Sequence, residues 1–132
     1  MLLLRLVLAV VFGAYGYAKW AGGMDRFVGL LMTIHLPYPP VTAHIVATLE
    51  LGGAALLALG IATRLIGLLL AVEMGVAIAT VVWRQGFFGG YAFELTLLTV
   101  ALALAAAGGG AFSVTTALRH LAGESRQQGT RL

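Results

Sequence analysis

The sequence predicts an all-α integral membrane protein, a bundle of four transmembrane helices with a short interfacial helix in the first loop and a surface helix near the C-terminus. Three observations predict it. Of the 132 residues, 61% are hydrophobic and only 10% are charged, with a mean hydropathy of +0.99, whereas a soluble domain carries about 25% charged residues. The apolar residues gather into four runs, 2–18, 43–60, 65–83 and 91–108, and a helix of about 20 residues rising 1.5 Å per residue covers a hydrocarbon core of about 30 Å. The chain also has 18 glycines, and small residues inside apolar segments let transmembrane helices approach closely. Residues 1–121 read as one transmembrane domain, followed by a polar tail over 122–132.

The first span, 2–18, ends at Lys19-Trp20, a cation and an indole of the kind that anchor a helix at the membrane surface. A cleavable signal peptide would place cations ahead of the apolar run, but Arg5 lies within it, so the run is expected to remain as a span. Between the first and second spans, Phe27, Leu30, Leu31 and Ile34 recur at i, i+3, i+4, i+7 after Asp25, an expected N-cap. This is the pattern of an amphipathic helix lying in the interface, ended by Pro37-Tyr38-Pro39-Pro40. A tight turn, Gly60 to Arg64, joins the second and third spans. Gly108-Gly109-Gly110 ends the fourth, and Ser113 to Leu121 reads as the surface helix. Arg64, Arg119, Arg126 and Arg131 share one side with the N-terminus, against Arg26 on the other. The positive-inside rule then places both termini in the cytoplasm.

Glu50, Glu73 and Glu94 each fall inside an apolar run. An ionised group at the centre of a transmembrane helix costs about 2.5 to 3.5 kcal/mol even on lenient scales. Arg5, Lys19 and Arg84 are the nearby cations, so three acids against three bases suggest an internally neutralised polar core. At about 100° per residue, Arg5, Ala9, Phe12, Gly16 and Lys19 share a face, Glu50 lies with Ala43, Ala47, Gly53 and Ala54, and Glu94 lies over Ala101, Ala105 and Gly108. These small-residue stripes mark helix contacts, so the glutamates are expected to face other helices. The third span carries Glu73, Ala77, Thr80 and Arg84 on one face and a second ridge, Gly67, Ala71, Gly75 and Ala79, nearly opposite, a candidate for self-association. Depth along the helices pairs Lys19 with Glu50, and Arg84 with Glu94 or Glu73. Glu73 is the deepest carboxyl and the expected site of proton exchange. Such pairs can fix helix register without chemistry, or they can line a polar pocket that accepts a quinone-like or other small polar ligand.

The remaining polar residues say less. His35 and His44 lie near the proline-rich stretch and His120 on the surface helix, a distribution that offers no converging set for a metal. No cysteine is present, which excludes disulfides, thiol redox chemistry and thiolate-held clusters. No covalent cofactor is expected. A formal charge of +3 spread along the chain gives no support for nucleic-acid binding. Tyr15, Tyr17, Trp20, Trp83, Phe87, Phe88 and Tyr91 form an expected aromatic belt on one side.

Taken in order, Arg5, Gly13-x-x-Gly16-x-x-Lys19, Leu36-Pro37, Glu50-Leu51-Gly52-Gly53, Leu59-Gly60-x-x-Thr63-Arg64, Glu94 and Gly108-x-Gly110-x-x-Ser113 resemble the DoxX family of small bacterial membrane proteins. The resemblance covers about Arg5 to Ser113. It departs at Thr115, where many relatives carry an acidic residue, and at Glu73, which is not a family position. It implies a four-helix bundle in a bacterial cytoplasmic membrane, within a group that includes the membrane subunit of thiosulfate:quinone oxidoreductases. It also implies Arg5, Lys19, Glu50, Arg64 and Glu94 as the family's polar positions. The leading expectation is a membrane subunit supporting quinone-linked redox chemistry beside a partner subunit, with Lys19, Glu50, Arg84 and Glu94 forming the polar site and Arg5 and Arg64 as charge anchors. The alternative is a non-catalytic accessory or scaffold subunit that joins a larger assembly, or another copy of itself, through the Gly67/Ala71/Gly75/Ala79 ridge.

Overall fold

The structure is a computed structural model that describes residues 1–110 and 113–129. Its elements are α1 (Leu2–Ala18), α2 (Met24–Thr33), α3 (Pro39–Leu59), α4 (Thr63–Ala77), α5 (Ala92–Ala107) and α6 (Val114–Gly129), with no strand among the described residues. Four helical segments are long and apolar enough to cross a membrane: Leu2–Thr33, Pro39–Leu59, Thr63–Gln85 and Phe87–Ala107. The architecture is the expected all-α membrane bundle, and the protein is multi-pass.

Each boundary has a local cause. The first segment bends at Gly22, whose φ of 133° is open only to glycine, so α2 turns away from α1 as a separate short helix. Its cap is Gly23, two residues before the expected Asp25, and Asp25 sits within the first turn, where a carboxylate favours the helix N-terminus. The proline run does not merely end α2. Pro39 and Pro40 occupy the first two positions of α3, where a missing N–H is harmless, so that helix starts before the apolar run does. α3 ends at Gly60 in the left-handed conformation, and α4 begins three residues later. α6 runs on to Gly129, past the expected end at Leu121 and through most of the presumed tail; residues 130–132 lie outside the described residues.

α1 pairs most extensively with α3, and α4 with α5, and the two pairs close on a common core. Leu8 and Phe12 of α1, Leu57 of α3, Leu70 of α4 and Leu104 of α5 are its largest fully buried side chains. Both pairings depend on glycine. A methyl group on Gly16 would lie 2.7 Å from the Leu51 nitrogen of α3, and one on Gly67 would lie 2.8 Å from the Ala101 carbonyl oxygen of α5. Branched aliphatic side chains such as Leu3, Val10, Ile45, Leu65 and Val72 face outward. In a bilayer that surface meets lipid chains and needs no other cover.

The Gly67 contact revises one expectation. Gly67 is buried against α5 and Ala71 is buried in the core of the chain, so the lower half of the small-residue ridge on α4 is an intramolecular interface. Phase reading could not separate the two uses, because close packing within a chain and between chains selects the same small residues. Only its upper half, at Gly75 and Ala79, is left uncovered.

Candidate functional site

Lys19 follows Gly16 by three residues, on the same face of α1, at the point where α1 loosens into a π-helical turn over Lys19–Gly23. The close approach at Gly16 carries it against α3, where Glu50 is only 3% exposed. The Lys19 ammonium donates to Glu50 Oε2 in a tight, largely buried ion pair. The same ammonium lies 4.4 Å from the centroid of the Phe27 ring, so α2 covers the site with an aromatic face that favours the cation.

Glu73 of α4 completes the cluster. Its carboxyl lies near the Glu50 carboxyl and within electrostatic reach of Lys19. A carboxylate only accepts, so two carboxyls can bond to each other only with a proton between them. Glu73 Oε2 is buried and has no hydrogen-bond partner among the described residues. One lysine against two carboxyls balances in charge when the pair holds one proton. Four consecutive elements thus contribute Lys19, Phe27, Glu50 and Glu73 to one largely buried polar site that brings a cation beside two carboxyls.

The proposed three-against-three neutralisation does not form. Arg84 is exposed and makes no ion pair with Glu73 or Glu94 among the described residues. The reason is helical phase: α4 passes into a π-helical turn at Ile78–Val82 and a 3-10 turn at Trp83–Gln85, so a count of 100° per residue fails between Glu73 and Arg84. Glu94 is half-buried in the first turn of α5, where the helix dipole favours a carboxylate. Its Oε2 is buried without a hydrogen-bond partner among the described residues. Arg5 cannot reach either acid. It lies 14 residues before Lys19, roughly 21 Å along the helix, and at that opposite end its Nη1 donates to the Gly109 carbonyl at 2.7 Å while the residue is 2% exposed. Arg64 is exposed beside Gly108. Arg5 therefore ties the turn after α5 to the start of α1.

Phe27 was visible in the sequence only as one apolar position of α2. Its contact with Lys19 could have been found from the i, i+3, i+4, i+7 pattern together with the nearness of Lys19 in the chain. At the same end of the bundle, Trp20 meets His44 edge-on at 5.4 Å, and Trp83 and Phe87 both pack on Tyr91. Phe88 is 92% exposed. His44 Nδ1 lies 2.7 Å from the Pro40 carbonyl oxygen one helical turn back, a local contact within α3.

The DoxX family profile matches residues 1–83, a stretch that holds Lys19, Phe27, Glu50 and Glu73. CatD of Bacillus subtilis (strain 168), a protein named as a candidate oxidoreductase, is 35% identical over 107 residues, which cover 81% of this chain and 78% of CatD. No solved protein structure matches the chain significantly.

Proposed function

The chain belongs to the DoxX family, and on that premise we propose that it is a subunit of a bacterial cytoplasmic membrane, with both termini in the cytoplasm, supporting quinone-linked redox chemistry of the thiosulfate or sulfur type. The observation that carries this reading is the buried Lys19–Glu50–Glu73 cluster under the Phe27 ring. The oxidoreductase name of CatD supports the redox class. A quinone supplies an acceptor for two electrons and two protons. The residues here fit such a head group: an ammonium to donate to a carbonyl oxygen, an aromatic ring beside it, and a carboxyl with a buried oxygen lacking a partner.

In this reading Lys19 binds and orients the carbonyl, and Glu50 holds Lys19 in place. Glu73 and Glu50 relay protons toward the carbonyl oxygen, and the α2 roof limits water. The electrons come from a partner subunit that oxidises the sulfur compound, because a chain without cysteine cannot carry sulfur on a thiol of its own. Glu94 and Arg84 leave the centre of the proposed site, and Glu73 replaces them.

Glu50→Gln tests the reading. The variant keeps the side chain's shape and removes its charge, so membranes containing it should insert the protein normally but lose most quinone-dependent thiosulfate oxidation. Native mass spectrometry of the wild-type protein, extracted with its own lipids, should show a bound quinone that is absent from the variant. Full activity and unchanged quinone content in Glu50→Gln would refute it. The accessory-subunit reading keeps only the Gly75 and Ala79 part of the α4 ridge, since Gly67 is covered by α5 and Ala71 is buried in the core. A stoichiometric protein partner without quinone would favour it.

A further inference from the structure

We propose that the opposite, Arg5 end of the bundle carries a second site, a cleft that binds a phosphate group through Arg64, Arg119 and the hydroxyl of Thr63. The cleft has a volume of ≈ 470 Å³ and is built where the start of α4, the glycine turn after α5 and the start of α6 meet. That is larger than one oxyanion needs and leaves space for the organic group to which a phosphate is attached.

Three features of its chemistry point the same way. Its charged lining residues are both arginines, with no acid among the described residues that line it, and a guanidinium fork suits phosphate oxygens. Next, Thr63, Arg64 and Leu65 all line the cleft and form the first turn of the 15-residue α4. The first-turn N–H groups of a helix have no partner within the helix and carry its positive dipole end. Finally, Thr63 is 3% exposed, yet its Oγ1 is buried with no hydrogen-bond partner among the described residues. A buried unsatisfied hydroxyl is a net cost to the fold, and a phosphate oxygen would satisfy it.

Three carbonyl acceptors around the cleft are also occupied. The Gly60 carbonyl accepts from Thr115 Oγ1 at 3.1 Å, the Gly109 carbonyl from Arg5 at 2.7 Å, and the Gly110 carbonyl from Thr116 Oγ1 at 3.0 Å. These three oxygens, which would otherwise repel an anion, are thus engaged by donors. Thr115 takes part only as a hydroxyl, since an ionised acid at that position could not donate to Gly60. A phosphate here belongs either to a lipid headgroup at the membrane surface or to a soluble phosphate compound.

The test uses the full chain in a neutral detergent. Binding of short-chain phosphatidylglycerol and of inorganic phosphate is measured by calorimetry for the wild type, Arg64→Gln, Arg119→Gln and Thr63→Val. We expect binding that weakens with added salt and about tenfold with either arginine variant. Thr63→Val should weaken binding while its melting temperature without ligand is unchanged or higher, because the lost hydroxyl had no partner. Binding of the lipid but not of inorganic phosphate supports a lipid source, and binding of inorganic phosphate with no preference for the lipid supports a soluble one. Absence of binding by both probes, or equal binding by the wild type and the arginine variants, overturns the proposal. The readouts are independent of quinone chemistry, so its failure and that of the redox reading are distinct.

Discussion

The backbone of Gly16 lies so close to α3 that a methyl group on it would sit 2.7 Å from the Leu51 nitrogen, and one turn later this contact sets Lys19 beside Glu50. Gly13 extends the same seam, with the Ala54 methyl 3.3 Å from its would-be Cβ. The ion pair therefore depends on residues that carry no charge. Packing of α1 on α3 sets the depth and direction from which the ammonium meets the carboxylate.

Gly16→Ala is accordingly expected to be destabilising although alanine is the better helix former. A contact of 2.7 Å with backbone cannot be relieved by a rotamer change, so the helices must part, at a cost of about 1 to 3 kcal/mol. Thermal unfolding in detergent should show a lower melting temperature. Cysteine pairs introduced at the Lys19 end of α1 and α3 should cross-link less readily.

Lys19→Met removes the cation that balances Glu50 and leaves a buried carboxylate without its partner. Breaking such a pair costs about 3 to 5 kcal/mol, whereas replacing both members is much milder. Lys19→Met alone should therefore be strongly destabilised, and Lys19→Met with Glu50→Leu should recover most of the loss. A double-mutant cycle on unfolding measures this; equal loss in the single and double variants would show that the pair is not coupled.

Glu73→Gln should keep the fold and lose proton exchange. A glutamine amide can donate to Glu50 without a proton between the two side chains, so the contact survives in a form that does not titrate. The expected result is an unchanged melting temperature with quinone-dependent turnover reduced by about 10²-fold or more. Turnover at the wild-type rate would assign the contact a structural role only.

What was legible in the sequence depended on regular helix. Arg5, Ala9, Phe12 and Gly16 fall on one face at ideal phase, and the structure buries all four. Glu50 likewise faces inward among Ala43, Ala47 and Ala54. Where helices loosen, the same arithmetic fails: the π-helical turn at Ile78–Val82 takes Arg84 off the face of Glu73. Glu73 itself was hard to read because the meeting of α4 with α3 at that depth is a tertiary fact, not a periodicity. The cleft at the Arg5 end was harder still, since Thr63 and Arg119 come together only when a turn and a surface helix fold over one another.

The two halves of the α4 ridge make the sharpest contrast, because they separate residues of one type by what lies opposite them. A side chain on Gly67 would strike α5 backbone, 2.8 Å from the Ala101 oxygen and 2.9 Å from the Ala105 nitrogen, whereas Gly75 has nothing within 4 Å of its would-be Cβ. Gly67→Leu should therefore pry α4 from α5 and uncover Leu70 and Leu104, which are fully buried, with a loss of about 1 to 3 kcal/mol or more from overpacking. Gly75→Leu should leave the monomer's melting temperature within a few degrees of the wild type, and leucine's higher helix propensity could raise it. If Gly75→Leu nevertheless abolishes co-purification of a protein partner or self-association in size-exclusion chromatography, the upper ridge is an interface between chains. If association survives, lipid alone covers that face and the partner docks elsewhere.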